Sequence, residues 1–423
     1  MAINNKGQIE CVVQSTAFGG EGIARCDGKV VFVPGALEGE RINIRLVQQK
    51  KSYARAQLLE VVNPSPKRIQ PLCEFFAQCG GCHFQHLDYS SQLDIKKNFV
   101  EDALKRIGRI DVSVHGPQSS KEQWYYRRHI RLHWHNGRLG FMQNKSHALV
   151  EASNCHIFSE REIIPKIRKL CHSLGEELPY EISVHKSGEQ FILFFEFSRS
   201  RGSYKKIFAK EIENNELIKG VIWKVGNQFF ELGNVVIQFP LGNLIFSYNP
   251  KVFVQANPQQ SEGIYNEISL LAKKNKMNKI LDLYCGFGAS SILLRSMGIE
   301  LCGIEVNPES IRLARLNEKT NKLYGIRWIA GDVEKLAGSA FNEFQPDCVL
   351  VNPPRTGLAS VVCREILEYL PEHIIYISCM PATLARDISA LSCFYRVEYC
   401  QSFDMFPQTT HIETLVYLKR KEL

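Results

Sequence analysis

The strongest constraint on the fold of this chain is an alternation of short apolar runs and helix-like segments that begins near residue 278. Runs such as 280–283 and 374–377 have the length and apolar content of strands buried on both faces. Strands that alternate with helices are typical of a doubly wound α/β sheet. In such a sheet, ligands and reacting groups collect at the carboxyl ends of the strands. The residues that follow each run are therefore the first candidates for a functional site.

Length and composition limit the class of protein. A chain of 423 residues is long enough for two or three domains. We find no apolar run near the roughly 20 residues that a membrane-spanning helix needs, and residues 1–7 lack the apolar core of a signal peptide. We therefore expect a cytoplasmic protein with no membrane partner. The net charge of +8 is compatible with an RNA partner but does not require one.

Residues 6–62 predict a small β-barrel. Strand-like patterns cover 8–13, 28–33, 40–47 and 53–62, with glycine-containing turns between them. This arrangement is typical of the five-stranded OB-type barrel, a common oligonucleotide-binding module. Basic residues that could contact phosphates lie on or between the strands, with Tyr53 among them as a stacking ring: Arg41, Arg45, Lys50, Lys51 and Arg55. A solvated hairpin explains the same charges equally well.

Fourteen cysteines in a chain without a signal peptide indicate metal ligands or a catalytic thiol rather than disulfides. Cys73, Cys79 and Cys82 are spaced C-x5-C-x2-C, and Cys155 stands farther along the chain. Four thiolates suit either a tetrahedral zinc ion or an iron–sulfur cluster, and spacing alone does not separate the two. From the residues alone we prefer zinc.

Polar residues follow successive apolar runs near the C-terminus. Asp282 precedes a glycine turn at 284–288 that is too short for the dinucleotide fingerprint. Glu305 ends the next run, where a carboxylate can accept hydrogen bonds from a ribose diol. Asp332 and Asn352 follow the two runs after that. The ordered set predicts that the chain binds S-adenosylmethionine as class I methyltransferases do.

These motifs together resemble the RNA uracil-5-methyltransferase family, and most closely its ribosomal RNA branch with a TRAM domain and a four-iron, four-sulfur (4Fe-4S) cluster. Besides the barrel and the cysteines, the resemblance is carried by the segments 253–257, 284–288, 352–355, 378–381, 405–407 and 411–413. It implies a class I (Rossmann-like) α/β methyltransferase domain. The implied domains are a TRAM barrel at 1–63, a central α+β iron–sulfur domain at 64–250 and the methyltransferase domain at 251–423.

The resemblance also implies roles for particular residues. Cys379 would add to carbon 6 of uracil, and Glu413 would remove the proton from carbon 5. The proposed cluster ligands are Cys73, Cys79, Cys82 and Cys155, a reading that replaces zinc with iron–sulfur. Together with the strand-end pattern, the resemblance places the following residues around S-adenosylmethionine: Gln255, Asp282, Tyr284, Gly286, Gly288, Glu305, Asp332 and Asn352.

Two departures from the family pattern keep alternatives open. The family usually has Asp where this chain has Asn352, and often Asn where it has Ala289. Asn keeps an acceptor oxygen but carries no negative charge. A non-catalytic RNA-binding or assembly factor is therefore one alternative. An amine methyltransferase is another, although Arg355 stands where that class has an aromatic residue. For the substrate we expect a uridine in 23S ribosomal RNA, with transfer RNA second, and for the protein a monomer.

Overall fold

The computed structural model of the chain describes residues 8–144, 146–160, 162–175, 178–199 and 204–422. Residues 1–7, in which the sequence shows no signal-peptide core, lie outside this part. Within these ranges no helix is both long and apolar enough to cross a membrane.

Five strands close a barrel near the N-terminus, in the order β1-β2-β3-β5-β4. They are β1 (Ile9–Thr16), β2 (Glu21–Cys26), β3 (Lys29–Pro34), β4 (Arg41–Gln49) and β5 (Tyr53–Asn63). The sequence pattern indicated four of these strands and missed β2. The inward-facing residues of β2 are Gly22, Ala24 and Cys26, which are too small to give a clear apolar alternation.

The middle of the chain forms a seven-stranded sheet of order β13-β12-β11-β10-β7-β8-β9 and a hairpin of β14 and β15. Its elements, with the helix and strand that precede them, are α1 (Tyr89–Arg106), β6 (His115–Gln118), β7 (His129–His135), β8 (Arg138–Met142), β9 (Leu149–Glu151), α2 (Ile163–Ser173), β10 (Glu181–Ser187), β11 (Gln190–Phe197), α3 (Tyr204–Asn214), β12 (Ile218–Val225), β13 (Gln228–Gly233), β14 (Ile237–Leu241) and β15 (Leu244–Tyr248). The Asp88 carboxylate caps α1 by accepting a hydrogen bond from the backbone N–H of Ser91 at 2.9 Å.

The C-terminal part is a doubly wound α/β domain, as the sequence predicts. Its elements are α4 (Pro258–Lys274), β16 (Lys279–Leu283), α5 (Ala289–Arg295), β17 (Glu300–Glu305), α6 (Pro308–Thr320), β18 (Arg327–Ala330), α7 (Val333–Phe344), β19 (Cys348–Val351), α8 (Ser360–Tyr369), β20 (His373–Ser378), α9 (Pro381–Leu391), β21 (Tyr395–Phe403) and β22 (Glu413–Arg420). The sheet order is β18-β17-β16-β19-β20-β22-β21-β6. The short strand β6 joins this sheet although it precedes the seven-stranded sheet in the chain.

The strand order creates the crevice that holds the candidate site. From β16 the chain adds strands first on one side, β17 and β18, and then on the other, β19 and β20. Ligands of open α/β sheets bind at such a switch point, outside the carboxyl ends of the strands. The residues of β19 and β20 are all buried, as expected for strands that helices cover on both faces.

Candidate active site

Cys379 and Glu413 come together because β20 and β22 run antiparallel. Ser378 of β20 pairs with Thr414 of β22. Cys379 directly follows β20, and Glu413 is the first residue of β22, directly before Thr414, so the two meet at the carboxyl edge of the sheet. The side chain of Glu413 is buried, whereas Cys379 is half-buried.

The environment of Glu413 suits a proton acceptor. Its Oε1 accepts a hydrogen bond from Nε2 of Gln255 at 3.3 Å, while its Oε2 is buried with no hydrogen-bond partner in the described part of the chain. Burial raises the pKa of Glu413 to about 7, against the lowering effects of the Gln255 hydrogen bond and the Arg355 charge. A carboxyl group with this pKa exchanges a proton readily near neutral pH.

Opposing charges act on the Cys379 thiol. Burial raises its pKa, the nearby Glu413 carboxylate raises it further, and the Arg355 guanidinium lowers it by its charge and a hydrogen bond. Since the thiolate is the nucleophilic form of cysteine, Arg355 is the group that favours reactivity here.

On the cofactor side, two carboxylates hold the turn after β16. Asp282 is buried and accepts hydrogen bonds from the hydroxyls of Ser290 at 2.8 Å and Ser291 at 2.5 Å. Burial raises the pKa of Asp282 to about 6. Glu305 accepts from the backbone N–H of Gly286 at 3.2 Å. Asp282 therefore fixes the start of α5, and Glu305 shapes the turn from the neighbouring strand; sequence reasoning missed both serines.

The turn itself depends on backbone conformations that favour glycine. Tyr284, Gly286 and Gly288 all have positive φ, at 67°, 56° and 82°. A Cβ on Gly288 would lie 2.6 Å from the Trp328 ring, whereas one on Gly286 would meet no atom within 4 Å. The turn is thus packed tightly at one glycine and faces open space at the other.

The remaining predicted cofactor residues lie at neighbouring strand ends. Asp332 caps α7 by accepting a hydrogen bond from the backbone N–H of Glu334 at 3.0 Å. The backbone N–H of Asn352 donates to the Leu283 carbonyl at 3.4 Å, which joins the ends of β19 and β16. Both Asp332 and Asn352 are half-buried.

Helix α1 anchors the loop 404–411, which leads to Glu413. The Lys96 ammonium is fully buried, 2.5 Å from the Asp404 carboxylate, and donates to the Phe406 carbonyl at 3.0 Å. The Gln92 side chain accepts from the backbone N–H of Gln408 at 3.0 Å. The sequence gives little sign of these contacts, since lysine and glutamine on a helix are usually solvated.

The four predicted cluster cysteines line one cavity of about 240 Å³. The Cys79 sulfur accepts a hydrogen bond from the backbone N–H of Gly81 at 3.4 Å. Burial raises the pKa of Cys79 to about 11 and that of Cys82 to about 12. Across the described ranges, no three His, Cys, Asp or Glu side chains form a compact group that could hold one metal ion.

Comparison with known proteins identifies the family. The sequence profile of tRNA (uracil-5-)-methyltransferases matches residues 234–421, and that of the TRAM domain matches residues 9–59. A protein of Protochlamydia amoebophila, named as an uncharacterized RNA methyltransferase, is 38% identical over 98% of each chain. The chain belongs to the RNA uracil-5-methyltransferase family. A Clostridium acetobutylicum protein with the same description is 31% identical over 99% of this chain and 98% of its own.

A solved relative of this family has a similar fold throughout. The crystal structure of Pyrococcus abyssi tRNA (uracil-54, C5)-methyltransferase in complex with S-adenosyl-L-homocysteine matches with a TM-score of 0.79 and 25% identity, over 97% of this chain and 99% of that one. The family, the TRAM barrel and the methyltransferase fold expected from the sequence are confirmed. The protein is an S-adenosylmethionine-dependent RNA methyltransferase.

Proposed function

We propose that this enzyme methylates carbon 5 of a uridine in RNA through a covalent bond between Cys379 and carbon 6 of the base. The observation that carries the proposal is the meeting of Cys379 and Glu413 at the carboxyl edge of the sheet, which follows from the pairing of Ser378 with Thr414. This edge is also the usual ligand-binding edge of the fold.

The chemistry requires a nucleophile before it requires a base. Carbon 5 of uracil is a weak nucleophile, and addition of the Cys379 thiolate to carbon 6 turns it into an enolate carbon. The Arg355 guanidinium, which lowers the pKa of the Cys379 thiol, supports that addition. Once carbon 5 carries the methyl group, Glu413 removes the remaining proton from carbon 5. The electrons of that C–H bond restore the double bond and expel the thiolate from carbon 6.

The strand-end residues fit S-adenosylmethionine, which supplies the methyl group as an electrophilic sulfonium. The open space beside Gly286 leaves room for a ligand at the turn. Glu305 already orders this turn and retains lone pairs for ribose hydroxyls. We propose that the cofactor is held by Gln255, Asp282, Tyr284, Gly286, Gly288, Glu305, Asp332 and Asn352. Asp282 acts through the two serines at the start of α5.

We also propose a 4Fe-4S cluster bound by Cys73, Cys79, Cys82 and Cys155. Support comes from the shared cavity of about 240 Å³ that all four line. A cluster with four irons takes one thiolate for each iron, which matches the donor set. Zinc remains the competing occupant, because four thiolates also suit a tetrahedral ion.

The substrate we favour is 23S ribosomal RNA, on the resemblance to the ribosomal branch. Transfer RNA is the second candidate, because the solved relative that matches 97% of this chain is a tRNA (uracil-54, C5)-methyltransferase. Mapping 5-methyluridine in both RNAs after gene deletion separates them. The proposal includes a monomeric, cytoplasmic enzyme with domains at 1–63, 64–250 and 251–423.

Two variants test the mechanism. Cys379→Ala should bind RNA and cofactor but neither methylate nor form a denaturant-resistant adduct with 5-fluorouridine RNA. Glu413→Gln should transfer the methyl group and then accumulate protein-linked methylated RNA, because the carbon 5 proton has no acceptor. Cys393→Ala, at an exposed cysteine elsewhere, is the matched control. Turnover by Cys379→Ala would refute the covalent mechanism, and absence of methylation by the wild type on any RNA would support the assembly-factor alternative.

A further inference from the structure

Side chains of helix α9 bind the loop that carries Arg355. This segment, residues 353–358, is called the Arg355 loop. The Arg386 guanidinium donates to the carbonyls of Thr356 at 2.9 Å and Leu358 at 3.3 Å. The Thr383 hydroxyl oxygen lies 3.3 Å from the carbonyl oxygen of Arg355 itself and 3.2 Å from that of Met380. Two side chains on one face of α9 thus contact three carbonyls of the loop.

The buried carboxylate of Asp387 on helix α9 also binds this loop. Asp387 is 2% exposed, and its Oδ2 accepts hydrogen bonds from the backbone N–H of Leu358 and the hydroxyl of Tyr376, both at 2.7 Å. Its Oδ1 accepts from Nε of Arg386 at 2.8 Å. Because the donors surround both oxygens, the carboxylate has a fixed orientation and holds Arg386 against the loop.

The backbone of the Arg355 loop packs directly against Arg386 and Asp387. Gly357 has a φ of +78°, and a Cβ at this position would lie 2.4 Å from Oδ2 of Asp387 and 2.6 Å from Nη2 of Arg386. Only glycine fits both the backbone conformation and the space. The contact between the loop and α9 is therefore direct, backbone against the ion pair.

The same helix begins two residues after Cys379, at Pro381. We propose that Arg386 and Asp387 form a clamp that positions Arg355 against the Cys379 thiol and so sets how readily this thiol ionises. The proposal deepens the mechanism above, because it rests on the assignment of Cys379 as the nucleophile. Arg386 and Asp387 are positioning residues, since they contact the loop and not the reacting atoms.

Other charged and titratable groups face this site. Glu413 faces Cys379 from β22, and His411 faces Arg355 from the loop 404–411. Cys363 of α8 faces the Arg386–Asp387 pair. Variants of Arg386 leave all three of these groups in place, so a change in Cys379 reactivity reports on the Arg355 loop.

The test measures alkylation of Cys379 by iodoacetamide as a function of pH, with the labelled peptide quantified by mass spectrometry. Arg355→Met should raise the apparent pKa of the reaction and lower the rate at neutral pH by about threefold or more, since one pKa unit changes the thiolate fraction tenfold. Arg386→Met should act in the same direction. The double variant should react no more slowly than Arg355→Met alone. Both substitutions remove the same effect, which is the influence of the Arg355 charge on the Cys379 thiol.

Arg364→Met is the matched control. It removes an exposed arginine of helix α8 that pairs with Glu368, so it should leave alkylation unchanged. Thr383→Val is a second test variant on the same face of α9. Unchanged alkylation in Arg386→Met, additive effects in the double variant, or an equal shift in Arg364→Met would each overturn the clamp. If instead Cys379→Ala still methylates RNA, the covalent mechanism fails, while the alkylation assay still tests the clamp.

Discussion

The Gln255 side chain donates a hydrogen bond to the buried Glu413 carboxylate, with 3.3 Å between Nε2 and Oε1. The segment 253–257 and the strand β22 are distant in sequence, and this bond joins them across the candidate active site. Burial raises the pKa of Glu413 to about 7, and the Gln255 bond opposes that rise. Gln255 is thus placed to adjust the proposed base as well as to line the proposed cofactor site.

Loss of the Gln255 amide should make the proposed base titrate at higher pH. Glu413 accepts a proton only when ionised, so the rate of product release should fall as the pH drops through about 7. Gln255→Met should move this fall upward by roughly one pH unit, because a bond that stabilises the ionised form is lost. Single-turnover release rates measured against pH give the result. Gln259→Met, in the adjacent helix α4, is the control, and a profile that does not move would argue against the adjustment.

The glycine turn offers a test of cofactor binding. Gly288→Ala should lower affinity for S-adenosylhomocysteine, because the new methyl group would lie 2.6 Å from the Trp328 ring. Gly298→Ala is the matched control: its φ is +88°, close to the +82° of Gly288, but the space around it is open. Both variants should lose about 1–2 kcal/mol of stability from the backbone conformation. Calorimetric titration should show weak binding for Gly288→Ala alone; equal binding by both would show that the Trp328 contact is unimportant.

The cysteine cavity predicts a coloured protein. After anaerobic purification we expect brown material with about four irons per chain, the content of one 4Fe-4S cluster. Cys82→Ser should lower the iron content and the visible absorption, whereas Cys171→Ser, at a buried cysteine outside the cavity, should not. Stoichiometric zinc with no visible absorption would contradict the cluster.

The barrel prediction can be narrowed to two lysines. Arg41 and Arg55 face the carboxylates of Glu10 and Glu21, and Arg45 donates a hydrogen bond to the Gln57 side chain. Lys50 and Lys51 are exposed and have neither an ion pair nor a side-chain hydrogen bond within the described ranges. If the lysines contact phosphates, replacing both with Gln should weaken RNA binding and reduce the slope of log K against log salt by about 1.4–1.8.

The control for the barrel test is a pair of lysines near the amino ends of the strands in the methyltransferase sheet. Lys273 and Lys274 end helix α4 just before β16 begins, away from the carboxyl ends of the strands. Their replacement with Gln removes the same charge and should leave the slope unchanged. Equal slopes for both double variants would mean that the barrel lysines act only through net charge.

Much of the fold could be predicted, because patterns among neighbouring residues indicate where the strands and helices lie. The apolar runs of the sheet are continuous, so strand and helix alternate visibly along the chain. The barrel was harder, because β2 directs Gly22, Ala24 and Cys26 inward and shows no apolar alternation. The strand β6 was not predicted, since it is short and pairs with β21, far along the chain.

The sequence by itself determined which polar residues follow each strand, because that order is a property of neighbouring residues. The tertiary structure alone decided which of these residues face one another. Antiparallel pairing of β20 with β22 brings Glu413 to Cys379, and burial raises the pKa of Glu413 to about 7. The buried contact of Lys96 with Asp404 likewise joins distant parts of the chain. Long-range pairing and desolvation depend on how the whole chain packs, and no local pattern encodes them.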